Sequence, residues 1–99
     1  MRGEELRELR AGLHLSQMGL ASCLGVAVAT ISRWECGRFR PTELHRSLLA
    51  WLALVVREDP GLALGLASFS RDPLRFWGLV LPRALELRER QARQEHEHR

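Results

Sequence analysis

Residues 16–37 read SQMGLASCLGVAVATISRWECG. Ser16 ahead of Gln17 has the form of a helix N-cap, because a serine hydroxyl can accept an orphan backbone N–H of the first turn. The helix it opens is predicted to reach Leu24 and stop at Gly25, whose missing Cβ permits the positive φ of a tight turn. A second short helix is predicted from about Ala27 to Cys36, ended by Gly37. Leu20, Ala21 and Leu24 share one face of the first helix, and Ile31 and Trp34 point from the second toward the core. Ala21 keeps the crossing close, and Val26 fills the space between the helices. Val28, Ala29, Ser32 and Arg33 face the other way. Two short helices pivoting on a glycine make a helix-turn-helix, whose second helix can lie in the major groove of DNA.

The flanking sequence is helical as well. EELRELRA (4–11) carries Leu6 and Leu9, continued by Leu13, as an apolar stripe, with acids in its first turn where the macrodipole favours them; Gly12 ends it. GRFRP (37–41) is a loop with two arginines. Thr42 then caps a helix through Leu44, Leu48, Leu49 and Leu52 to about Arg57. Its second half, LLAWLALVV, is apolar nearly all round and must be covered on more than one side. Asp59-Pro60-Gly61 opens a short helix to about Ser68, with proline at the first helical position. Asp72-Pro73 repeats that signal before LRFWGLVL (74–81). Pro82 is expected to break or kink the chain and start a last helix that frays into HEHR. From Leu62 to Leu81, twelve of twenty residues are Leu, Ala, Val, Phe or Trp, more than one thin helical layer hides within a monomer. Phe69, Phe76, Trp77 and Leu81 are therefore read as a dimer or partner surface. The alternative is a core role within one chain.

Ninety-nine residues, 45% hydrophobic and 27% charged, suit one small globular domain. All fifteen basic residues are arginine, as a GC-rich genome or thermophily would produce, so their placement says more than their number. Residues 1–57 hold eight arginines against five glutamates, and residues 58–99 hold seven against seven acids, so the net +3 belongs to the N-terminal part. That asymmetry suits a polyanion partner. The N-terminus, MRGEELRELR, is too charged for a signal peptide. The most apolar run, Leu48 to Val56, is about half a membrane span. No membrane association is expected; a cytoplasmic location is, with Cys23 and Cys36 reduced. Those cysteines lack metal-binding spacing, and His96-Glu97-His98 lies in the tail, so neither a metal nor a cofactor is expected. Nothing pairs a nucleophile with a base or cradles a phosphate, which argues against an enzyme and a small-molecule substrate.

The stretch LSQMGLASCLGVAVATISRWECGRFRP (15–41) resembles the lambda-repressor-like, Cro/C1-type (XRE family) helix-turn-helix proteins, which include many antitoxins of toxin–antitoxin pairs. The resemblance rests on Leu15-Ser16-Gln17, Leu20-Ala21, Leu24-Gly25-Val26, Thr30 to Glu35, Gly37 and Pro41, and covers roughly residues 5–57. It implies an all-α domain of about five helices (residues 1–69) that binds operator DNA as a dimer. Residues 70–99 are left as a C-terminal helical extension for dimerisation or partner binding. By position, the resemblance implies that Val28, Ala29 and Arg33, with Ser32 on the same face, meet base edges. Gln17, Thr30, Arg38 and Arg40 would meet phosphates or the groove rim. A buried ion pair between the first and third helices maps onto Arg10 and Glu35. Family members often carry polar residues where this chain has Val28 and Ala29.

The residues leave alternatives open. Arg33 can bond guanine O6 and N7 bidentately, or only touch phosphate. Val28 and Ala29 can pack on thymine methyls, or be small exposed residues that leave specificity to Arg33 and DNA shape. Ser16 sits where a helix N-terminus favours a phosphate, but capping alone is the preferred reading of it. Arg46 and His45 are further candidates for backbone contact. The functional expectation is a repressor that binds a palindromic operator on double-stranded DNA as a homodimer. The rival is an antitoxin that silences a toxin through residues 58–99 and autoregulates its own operon.

Overall fold

The computed structural model describes residues 1–97. Among them the chain is all-helical: α1 (Gly3–Gly12), α2 (Gln17–Leu24), α3 (Val28–Glu35), α4 (Glu43–Glu58), α5 (Pro60–Leu66), one turn of 3₁₀ helix (Ala67–Phe69) and α6 (Pro73–Glu97). Side-chain caps mark most starts. The Ser16 hydroxyl accepts the Gly19 N–H, Thr42 accepts from His45 N–H, and Asp59 accepts from Leu62 N–H.

Gly25 closes α2 in the left-handed region (φ 68°), and the Val26 N–H reaches back to the Ala21 carbonyl at 3.1 Å. The α1–α2 turn departs from expectation. Gly12 is still helical, and His14 takes the positive φ (56°). Gly12 serves proximity instead, because a Cβ there would stand 2.6 Å from Val56 Cγ1 on α4.

One hydrophobic cluster runs through the chain. Leu6, Leu9 and Leu13 from the first helix and its exit meet Leu20, Ala21, Ile31 and Trp34 from α2 and α3. Leu49, Leu52 and Val55 of α4 lie at its centre, fully buried. α4, whose second half is apolar nearly all round, is covered by α1, α5 and α6, which satisfies its need for cover on several sides. The cover from α6 consists of Phe76, Val80, Ala84 and Leu87, repeating at i, i+4, i+8 and i+11.

One expectation for the C-terminal part is corrected. Pro82 neither ends nor starts a helix: α6 continues through it for 25 residues and reaches Glu97, so the tail expected to fray is helical to that point. Pro82 sits on the exposed side of α6, so its ring need not enter the core. The first half of α6, within the segment 70–99 read as a C-terminal helical extension, shares the core of the preceding helices. Two polar ties fix it there. Arg83 Nε donates to Asp59 Oδ2 at 2.8 Å, at the α4–α5 corner, and Trp77 Nε1 donates to the Cys23 carbonyl at 2.8 Å, in the last turn of α2. The Arg83 hydrogen bond holds the Asp59 carboxyl below the usual carboxylate range.

Candidate nucleic-acid interface

The α2–α3 unit is held from behind by an ion pair. Arg10 Nε donates to Glu35 Oε2 and Arg10 NH2 to Glu35 Oε1, both at 3.0 Å, in the two-pronged geometry that suits guanidinium and carboxylate. The Glu35 side chain is only 2% exposed. Arg10 NH1 also donates to the Leu15 carbonyl, and Arg7 NH2 donates to the backbone carbonyl of Glu35 at 3.1 Å. The first helix, the α1–α2 turn and the end of α3 are thereby locked into one body. Gly3 tightens the same junction, since a Cβ there would collide with the Glu35 carbonyl oxygen.

With Ile31 and Trp34 committed to the core, the opposite side of α3 faces outward. Val28 and Ala29 are exposed, Ser32 and Thr30 are half-buried, and Arg33 is exposed. No acid lies on that side; the single carboxylate of α3 is the buried Glu35. Ala27 precedes the helix without a side-chain cap, so the positive end of α3 carries no protein anion of its own. Ser16 is exposed at the start of α2 and its hydroxyl is engaged with Gly19 N–H at 3.0 Å, which is the capping role; Gln17 beside it is half-buried.

Beyond α3, Gly37 (φ 76°) turns the chain into an exposed loop carrying Arg38 and Arg40. Arg38 N–H bonds the Arg33 carbonyl at 3.0 Å, which ties the loop to the helix end. Comparison with protein-family models, curated proteins and solved structures finds no match. The surface must therefore be judged by its chemistry alone. Neither Arg33, Arg38 nor Arg40 forms an ion pair among the described residues, whereas Arg7 and Arg10 share Glu35.

Phe39 is the residue the sequence reading missed. It is 61% exposed, and the Arg33 guanidinium lies 5.8 Å from its ring centroid, within cation–π range. The aromatic between two arginines in GRFRP was the available signal. Trp34 is core, 7% exposed, with its ring 5.4 Å from that of His45. His45 is half-buried and Arg46 exposed.

The residues read as a dimer or partner surface divide. Phe76 is fully buried in this chain's own core and is removed from that surface. Phe69 is partly buried against the core, and Trp77 spends its indole N–H on Cys23 while leaving part of its ring open. Leu81 is half-buried and lines an apolar groove of about 480 Å³ with Pro73, Leu74, Trp77, Gly78 and Pro82. Leu74, 90% exposed, and Leu85, 48% exposed, extend that side of α6 in both directions. Leu74 lies within the apolar run 62–81 and Leu85 beyond it.

Among the described residues no three His, Cys, Asp or Glu side chains gather as a metal site, and no helix is long and apolar enough to cross a membrane. Cys36 is exposed at the end of α3, and Cys23 is buried. Burial pushes the Cys23 thiol up to about 11, so it stays protonated near neutrality. Its sulfur lies 3.7 Å from the Ser70 carbonyl. His96 lies on α6, and His98 is outside the described residues.

Proposed function

We propose that this protein is a sequence-specific DNA-binding regulator, a repressor that uses α2 and α3 as a Cro/C1-type helix-turn-helix. The observation that carries the reading is the outer side of α3: slim, free of acids, headed by an uncapped N-terminus and bordered by Arg33, Arg38 and Arg40, which form no ion pair among the described residues. Small side chains at Val28 and Ala29 let the helix approach the groove floor, where thymine methyls are apolar targets. Arg33 is the one polar side chain there able to read guanine bidentately. Arg38, Arg40 and the first-turn amides of α2 and α3 would take phosphates. Ser16, Gln17 and Thr30 border them.

The protein acts as a homodimer in this reading, with two copies of α3 entering successive major grooves about 34 Å apart. The exposed side of α6, Leu74, Trp77, Leu81 and Leu85, supports the dimer, since a soluble chain rarely leaves such a continuous apolar strip bare. That same strip also supports the second reading, an antitoxin whose α6 engages a toxin.

Selection of bound sequences from a random DNA pool, followed by sizing of the complex, tests both parts. A palindromic consensus bound by two copies is the expected result; absence of enrichment defeats the DNA-binding reading. Arg33→Ala sharpens it: discrimination between the selected site and random DNA should fall by about 1–3 kcal/mol. Equal weakening on both DNAs would make Arg33 a phosphate contact.

A further inference from the structure

Between the start of α1, the α3–α4 loop and α4, the chain forms a cleft of about 490 Å³, within the size range of small-molecule sites. Three arginines from separate segments line it: Arg2 ahead of α1, Arg40 in the α3–α4 loop and Arg46 on α4. No carboxylate lines the cleft, and among the described residues none of the three guanidiniums forms an ion pair. Elsewhere Arg7, Arg10, Arg57, Arg83 and Arg93 each face a carboxylate. Folding has thus placed three like charges around one hollow without an internal counter-ion, an arrangement that concentrates an anion. Trp34 and Phe39 form part of the wall, so the hollow is aromatic as well as cationic.

We propose that this cleft binds a small planar anion carrying a phosphate, of the size of a nucleoside monophosphate. Guanidinium forks match phosphate oxygens two at a time, and three of them suit a dianionic monoester better than a single carboxylate. Phe39, the exposed aromatic of the wall, offers a surface on which a heterocycle can stack. Occupancy has a consequence under the DNA-binding reading: Arg40 would be drawn into the cleft and away from the DNA backbone, so the ligand would weaken operator binding. The site itself does not depend on that reading.

The test is therefore made without DNA. The full chain is titrated calorimetrically with AMP, with GMP and with inorganic phosphate, beside Arg2→Ala and Arg46→Ala variants whose helix content is checked by circular dichroism. Expected are one nucleotide bound per chain at millimolar dissociation constant or tighter, at least about tenfold weakening in each variant, and phosphate binding at least about tenfold weaker than either nucleotide. The proposal is overturned by any of three results: no nucleotide binding in the millimolar range, binding indifferent to both substitutions, or phosphate alone binding as tightly. It is overturned too if the variants lose DNA affinity while neither nucleotide binds, since the cleft is then part of a DNA face. A failed DNA selection combined with nucleotide binding would remove the DNA reading and leave the cleft standing.

Discussion

Around the C-terminal end of α3, arginine is used in two opposite ways. At the α1–α3 junction, Arg7 and Arg10 converge on a carboxylate that is 2% exposed, and their charges are spent on a partner within the fold. Within five residues of Glu35 on either side, Arg33, Arg38 and Arg40 stand exposed and unpaired among the described residues. Composition cannot separate the two groups, since arginine is the only basic residue type in the chain. Partnership does. The first group positions the helix, and the second is left available to something outside the molecule.

That division predicts opposite phenotypes. Arg10→Ala leaves Glu35 buried with only the longer Arg7 contact, and should cost about 3–5 kcal/mol of stability, read by urea denaturation. A cost near zero would mean that the pair is solvated. α6 offers the same contrast between its own two sides. Phe76→Ala should lose about 3–5 kcal/mol by opening a cavity in the core. Leu74→Ala, at a position 90% exposed, should leave the unfolding midpoint of the monomer unchanged while lowering self-association in sedimentation. If Leu74→Ala unfolds the protein and Phe76→Ala does not, the two sides of α6 have been assigned backwards.

Substituting the available arginines should change binding and not folding. Arg38→Ala and Arg40→Ala should each lower the dependence of log affinity on log salt by about 1, uniformly across DNA sequences. The smallest effect belongs to the cap. Ser16→Ala should cost about 1 kcal/mol of stability through loss of the Gly19 N–H acceptor. DNA affinity, measured where the variant is fully folded, should hold; a large loss would give the Ser16 hydroxyl a phosphate contact in addition to its cap.

Much of the helix order was legible locally. Caps at Ser16, Thr42 and Asp59 and the left-handed Gly25 each satisfy backbone groups within a few residues of themselves, so their signals sit in adjacent letters. The outward set of α3 followed from the helical period once Ile31 and Trp34 were assigned inward. Pro82 misled because proline was weighed as a helix breaker, while α6 runs on through it with the ring on the exposed side. Phe76 misled because a run of apolar residues does not say which side of a helix finds cover.

The sequence by itself determined where helices begin and turn, since those rules act over four or five neighbouring residues. It also held the likeness that mapped an ion pair onto Arg10 and Glu35. Tertiary structure alone decided that Phe76, Val80, Ala84 and Leu87 enter the core while Leu74 and Leu85 stay exposed and Trp77 and Leu81 half-buried. It alone brought Arg2, Arg40 and Arg46 around one cleft. The physical reason is common to both. Burial and charge proximity are properties of segments far apart in the chain, and they exist only after α1, α4 and α6 have closed on one another.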